Sequence, residues 1–198
     1  GFGGSCFKKD ILNLIYICNY YGLHQISDYW QQVVSINKWQ QKRIVDIVIQ
    51  KLFGTLSAKK ITILGFAFKA NTNDTRESPA INICKELLEE DCILNIYDPK
   101  VSKEQISKDL DNFDRENSKN NAVGAHWEYK SKIYEAFQDS DAVIIITEWD
   151  EFRNLDWLKI SKLMRKPAWI FDTRSIINVP KQKIHGINFW QIGTCNDL

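Results

Sequence analysis

Cys6 is the side chain of this sequence best placed to act as a nucleophile. It lies in Gly3-Gly4-Ser5-Cys6-Phe7-Lys8-Lys9-Asp10, where a glycine-rich turn runs directly into the first turn of an expected helix. The partial positive charge at a helix N-terminus, with Lys8 and Lys9 beside it, favours the thiolate, which is the reactive form. The glycines let backbone approach a bound molecule closely. A buried capping cysteine fits the same local sequence.

A second group of polar residues recurs at the ends of apolar runs. The run from Lys60 ends in Phe68-Lys69 and a loop containing Asn71, Thr72, Asn73, Asp74, Thr75 and Arg76. The next run ends in Asp98, a third in Thr147-Glu148-Trp149, and a fourth in Asp172-Thr173-Arg174. If these runs are strands of one parallel sheet, all four ends lie on the edge where such sheets bind ligands. Lys69 and Arg174 then converge on that edge, as a pyrophosphate requires. Pairing of Lys69 and Arg174 with Asp74 and Asp172 in surface salt bridges is the other reading, and geometry alone leaves both open. Gly65 is the only glycine after the first run, so GxGxxG is absent. A βαβ unit without that fingerprint can still hold a nucleotide through side chains.

The elements that must position these residues follow from periodicity. Apolar spacing predicts a helix over 8–21 closed by Gly22, then a long helix over 26–53 closed by Gly54. Apolar residues on more than one face of the long helix point to a dimer core, with an inter-domain spine as the alternative. Strands are expected at 60–68, 92–97, 142–147, 168–171 and 187–192. Helices are expected from the Ser78-Pro79 cap to Glu90 and over 102–111, 132–140 and 155–164, with a polar insertion at 112–124. Strands alternating with helices make an α/β fold, a doubly wound parallel sheet behind a helical segment.

Composition removes several classes. A net charge of +1 gives no electrostatic footprint for nucleic acid and no polybasic membrane patch. The apolar runs are too short to span a bilayer, and the opening Gly1-Phe2-Gly3-Gly4 is not a signal peptide. Cys6, Cys18, Cys84, Cys92 and Cys195 are irregularly spaced, with no CxxC and no metal-ligand pattern. They fit free thiols in a reducing cytoplasm, with Cys18, Cys84 and Cys92 in the core. His24, His126 and His185 are scattered and take no role, and the residues after Gly193 are expected to fray. A glycine turn at the start, without an initiator Met, reads as the beginning of a fragment.

The segment Gly1 to Asp10 resembles the catalytic cysteine segment of the UDP-glucose 6-dehydrogenases. Further matches follow in the same order: Gln31-Gln32-Val33, Ile63 to Lys69, Asp74-Thr75-Arg76-Glu77-Ser78, Tyr97-Asp98-Pro99-Lys100-Val101, Thr147-Glu148-Trp149-Asp150 and Phe171-Asp172-Thr173-Arg174. The resemblance implies oxidation of the C6 alcohol of a UDP-hexose with two NAD, through a thiohemiacetal and a thioester on Cys6. It gives Asp10 a part in positioning or activating water, and places Lys9 and Arg76 near the NAD. Phe2, Gly3, Phe68, Lys69 and Arg174 would hold the sugar nucleotide. It also implies a homodimer through the helix 26–53, a division into a helical region (1–54) and a Rossmann-like UDP-sugar domain (55–198), and a cytoplasmic enzyme. The family's NAD-binding N-terminal domain, with its GxGxxG, has no counterpart in this sequence. The isolated chain is therefore expected to fold and bind UDP weakly but to turn nothing over. A nucleotide-sugar-binding or dimerisation module without catalysis, and a GDP-mannose or UDP-N-acetylmannosamine dehydrogenase relative, are the alternatives.

Overall fold

A computed structural model of the chain describes residues 1–116, 125–177 and 184–194. Two helices come first, α1 (Phe7–Tyr20) and α2 (His24–Lys51). Between them Gly22 turns to φ +72°. The Leu23 N–H then donates to Cys18 O at 2.8 Å and the Gly22 N–H to Asn19 O at 3.0 Å, which closes α1 in a Schellman turn. The helices fold back as a hairpin, with Ile11, Cys18, Ser27 and Val34 buried. α2 stops short of the expected Phe53 because Phe53 (φ +69°) and Gly54 (φ +78°) are both left-handed and cannot continue a right-handed helix.

Six strands form one all-parallel sheet: β1 (Lys60–Leu64), β2 (Ile93–Tyr97), β3 (His126–Tyr129), β4 (Ala142–Ile145), β5 (Ala168–Asp172) and β6 (Ile187–Gln191). Their order is β3-β2-β1-β4-β5-β6. The chain winds outward in both directions from β1, so a crevice opens where β1 meets β4. The connecting helices are α3 (Pro79–Glu89), α4 (Lys103–Glu116), α5 (Ile133–Ala136), α6 (Asp150–Arg153) and α7 (Trp157–Leu163). Every residue of β4, and all of β1 after Lys60, is buried. Side chains alternate across a strand, so both faces of the sheet are covered. Ile44, Val45, Val48 and Leu52 of α2 share the resulting core with the sheet. Cys84 and Cys92 belong to it as expected, and burial pushes both thiols up, which keeps them neutral. No helix among the described residues is long and apolar enough to cross a membrane.

Several expected elements change length for identifiable reasons. The strand expected over 60–68 ends at Leu64, because Gly65 (φ +89°) turns the chain out of the sheet. The helix expected over 132–140 lasts only from Ile133 to Ala136. The Ala136 carbonyl is taken instead by Thr62 Oγ1 (2.6 Å) and Asn95 Nδ2 (2.9 Å), the buried polar groups of β1 and β2. The helix expected over 155–164 begins at Trp157, where Asp156 caps it by accepting from the Lys159 N–H at 3.0 Å. α4 runs on to Glu116 and so takes up the first residues of the expected polar insertion. The rest of that insertion, Cys195 and the C-terminal tail lie outside the described residues. β3 and α6 are additional, each four residues long.

Candidate functional site at the carboxyl edge of the sheet

Asp98, at the end of β2, organises the edge. Its Oδ2 accepts from the N–H groups of Phe66 (2.7 Å) and Ala67 (3.0 Å) and from Trp149 Nε1 (3.2 Å). Its Oδ1 accepts from the N–H groups of Lys100 (2.9 Å) and Val101 (3.0 Å). Ser78, the cap of α3, donates its hydroxyl to Phe66 O at 2.7 Å, and Thr147 Oγ1 donates to Ala67 O at 2.7 Å. A Cβ on Gly65 would lie 2.4 Å from Thr147 Cβ, so glycine is required where these strands pass. The turn after β1 is therefore fixed on both sides. Its Phe66 and Ala67 amides face a carboxylate, so they form no phosphate cradle.

The cysteine loop docks on the next stretch of the same turn. The Gly4 N–H donates to Arg76 O at 2.9 Å. A Cβ on Gly4 would meet the Phe68 ring at 2.8 Å, and one on Gly3 would lie 2.4 Å from Glu77 O. Lys8 Nζ reaches Glu77 Oε2 at 2.6 Å. On the other side, Phe2 and Asn37 of α2 exchange hydrogen bonds: the Phe2 N–H donates to Asn37 Oδ1 (2.7 Å), and Asn37 Nδ2 donates to Phe2 O (3.0 Å). Phe2 also packs edge-on against Phe7, with ring centroids 4.6 Å apart. Cys6 sits at the N-cap of α1 and is exposed, which removes the buried-cap reading.

Of the expected site residues, the structure brings Gly3, Cys6, Phe68 and Arg76 to one junction. The Asp74 carboxylate holds the Arg76 guanidinium through a contact at 2.7 Å, and this pairing pulls the Asp74 carboxyl below its ordinary range. The same pairing raises Arg76, and the Arg76 carbonyl holds the cysteine loop through the Gly4 N–H, two residues before Cys6. Lys69 is exposed, with its ammonium 5.3 Å from the Phe68 ring centroid. Arg174 donates through Nε to Ile146 O at 2.5 Å, and Glu148 Oε2 lies 3.4 Å from the same nitrogen. Asp172 does not pair with the Arg174 side chain. It accepts from the N–H groups of Arg174 (3.0 Å) and Ile177 (2.8 Å) and from Gln191 Nε2 (3.1 Å). Asp74 and Asp172 thus have other partners, and the ion pairs considered as the alternative for Lys69 and Arg174 give way to these. Gly1 and Arg174 line one small recess with Gln41 and Thr173, which brings the start of the cysteine loop next to Arg174. Lys9 and Asp10 are exposed on the first turn of α1. The Lys8 ammonium, considered with Lys9 as a neighbour for the thiolate, is paired with Glu77. Asn37, Glu77 and Glu148 were given no role of their own from sequence. Their partners lie 35, 69 and 26 residues away, and nothing local signals such contacts.

A six-stranded parallel sheet of this order, with helices on both faces and a cysteine loop on its carboxyl edge, places the molecule among the doubly wound α/β proteins. The chain belongs to the UDP-glucose/GDP-mannose dehydrogenase family: residues 62–179 match that family's UDP binding domain. It is 47% identical to UDP-glucose 6-dehydrogenase 4 of Arabidopsis thaliana, over 98% of this chain and 42% of that protein. It is 44% identical to UDP-glucose 6-dehydrogenase 2 of Oryza sativa subsp. japonica, with the same coverage. The chain thus spans 42% of the length of these curated relatives. Among solved structures it resembles a UDP-glucose dehydrogenase from Pyrobaculum islandicum, with a TM-score of 0.69 and 27% identity, over 89% of this chain and 35% of that one. It also resembles a UDP-D-ManNAc dehydrogenase from Pyrococcus horikoshii, with a TM-score of 0.64 and 27% identity, over 98% and 39%.

Proposed function

We propose that this chain is the nucleophile-bearing, UDP-sugar-binding part of an NAD-dependent UDP-glucose 6-dehydrogenase. The observation that carries the reading is the docking of the cysteine loop on the turn after β1, through Gly4 to Arg76 and Gly3 to Glu77. That docking brings an exposed thiol to the edge of a UDP-binding sheet. The overall reaction converts the C6 alcohol, two NAD⁺ and one water into a carboxylate, two NADH and three protons. NAD supplies the two-electron acceptor in each oxidation.

Within this scheme Cys6 Sγ adds to the C6 aldehyde to give a thiohemiacetal. Loss of hydride from that carbon leaves a thioester, which water cleaves to free the carboxylate and return the thiol. Asp10, one turn along α1, orients that water. Phe2 and Gly3 line the path of the sugar nucleotide, and Phe68 lies under it. Lys69 and Arg174 meet its phosphates, and the remaining donors of the Arg174 fork suit an anion. Lys9 and Arg76 are exposed and cationic, which fits a role at the rim of the NAD site. The turn after β1 cannot hold NAD in the usual way, because Asp98 occupies its amides. The dinucleotide's main site thus belongs to chain beyond these residues, and by themselves they bind UDP without turnover.

The same reading divides the chain into a helical region (1–54) and a UDP-sugar domain (55–198), with a homodimer through the long helix, residues 26–53. Tyr29, Ile36 and Trp39 are between 59% and 66% exposed along α2, which is apolar surface suited to a second copy. Free cysteines at 6, 18, 84 and 92 fit a cytoplasmic protein.

Calorimetric titration with UDP, UDP-glucose and GDP tests the proposal. The uridine ligands should bind in preference to GDP. Lys69→Ala and Arg174→Ala should each weaken UDP by about tenfold, as expected for a charge-assisted phosphate contact. A folded chain that ignores all three ligands, or binds them without these side chains, overturns it.

A further inference from the structure

We propose that Lys8 and Glu77 form a latch that positions Cys6, locking the cysteine loop onto the turn after β1 and so holding the thiol at the segment that carries Arg76. The inference builds on Cys6 being the nucleophile of the proposed enzyme, but its geometry is independent of that chemistry. Lys8 is two residues past Cys6 in the first turn of α1, and Glu77 directly follows Arg76. One ion pair, Nζ to Oε2 at 2.6 Å, therefore ties the two segments that carry the thiol and the guanidinium.

Three features set it apart from an incidental surface pair. First, a lysine in the opening turn of a helix faces the positive end of the dipole and is disfavoured there. Second, Glu77 holds φ +53°, a conformation that side-chain-bearing residues rarely adopt. That conformation presents Glu77 O to Gly3 at a distance where any Cβ would clash, at 2.4 Å. Third, the Gly4 N–H to Arg76 O bond runs beside the ion pair, so each contact keeps the other in register. Both unfavourable placements have a single common result, which is the seating of the cysteine loop.

The test is the rate at which Cys6 of the 198-residue chain is alkylated by anionic iodoacetate relative to neutral iodoacetamide, read peptide by peptide in the mass spectrum. The ratio cancels the thiolate fraction and reports the cation near sulfur. If the pair positions the thiol, Lys8→Met and Glu77→Gln both release Cys6 from the segment that carries Arg76. Both then lower the ratio, by about two- to threefold in dilute salt where screening is weak. The reversed pair, Lys8→Glu with Glu77→Lys, restores it. If the two charges act only through their own fields, Lys8→Met lowers the ratio and Glu77→Gln raises it. That outcome overturns the latch, as do single variants that leave the ratio unchanged. Faster hydrogen exchange at the Gly4 amide in both single variants, returning to the parent rate in the reversed pair, is the accompanying expectation. Neither measurement uses a sugar nucleotide or a cofactor, so failure here leaves the dehydrogenase reading standing, and failure of that reading leaves the latch standing.

Discussion

Asp98 accepts five hydrogen bonds while 2% exposed, four from backbone amides and one from Trp149. Asp98→Asn keeps its shape but turns one acceptor into a donor, so one pair of amides faces another N–H. Unsatisfied buried donors and the loss of charge-assisted bonds should lower stability by about 2–3 kcal/mol, measured by urea denaturation. At this scale the position of Cys6 at the start of a helix was legible in the sequence, because a glycine turn runs into the apolar periodicity of α1 within ten residues. Asp98 was legible only as the polar end of an apolar run. That it binds the β1 turn rather than a ligand depends on contacts some 30 residues away. The pairing of Arg174 with Glu148 instead of Asp172 was hidden for a related reason. The Asp172 side chain turns back to amides that follow its own strand and to Gln191 on the neighbouring one.

At the scale of elements, the type and order of every strand but β3 and of the helices longer than four residues followed from periodicity, while their ends did not. Strand β1 is the instructive case. Residues 60–68 alternate too little to show where the strand stops, and an apolar run such as Phe66-Ala67-Phe68 looks the same in a sheet or in a buried turn. What ends it is Gly65, whose φ of +89° brings its Cα against Thr147, two residues past the end of the neighbouring strand β4. Gly65→Ala must shift that backbone. It should lower stability by more than about 2 kcal/mol, combining left-handed strain with a clash, as a fall in the melting midpoint would report. β3 escaped because it alternates exposed and half-buried residues over only four positions at the sheet's rim. A signal that short does not separate an edge strand from a loop.

For the whole molecule, the proposed dimer makes a separable prediction. Ile36 is 64% exposed on α2, so Ile36→Glu should leave the fold of one chain within about 0.5 kcal/mol. The parent's mass by light scattering should be that of two chains and the variant's that of one. A parent that is monomeric at every concentration removes the dimer and nothing else.

The seat of the cysteine loop also bears on how the molecule is built in time. Its partners are Asn37 on one side and Arg76 and Glu77 on the other, contacts 35 and about 70 residues away along the chain. Contacts of such separation form only after the loops between them have closed, and so late in folding. The hairpin and the turn after β1 must both be in place before Gly3 and Gly4 have anything to rest on. A half-folded chain therefore carries its thiol on an unfixed segment, and the seated cysteine loop is among the last features to mature.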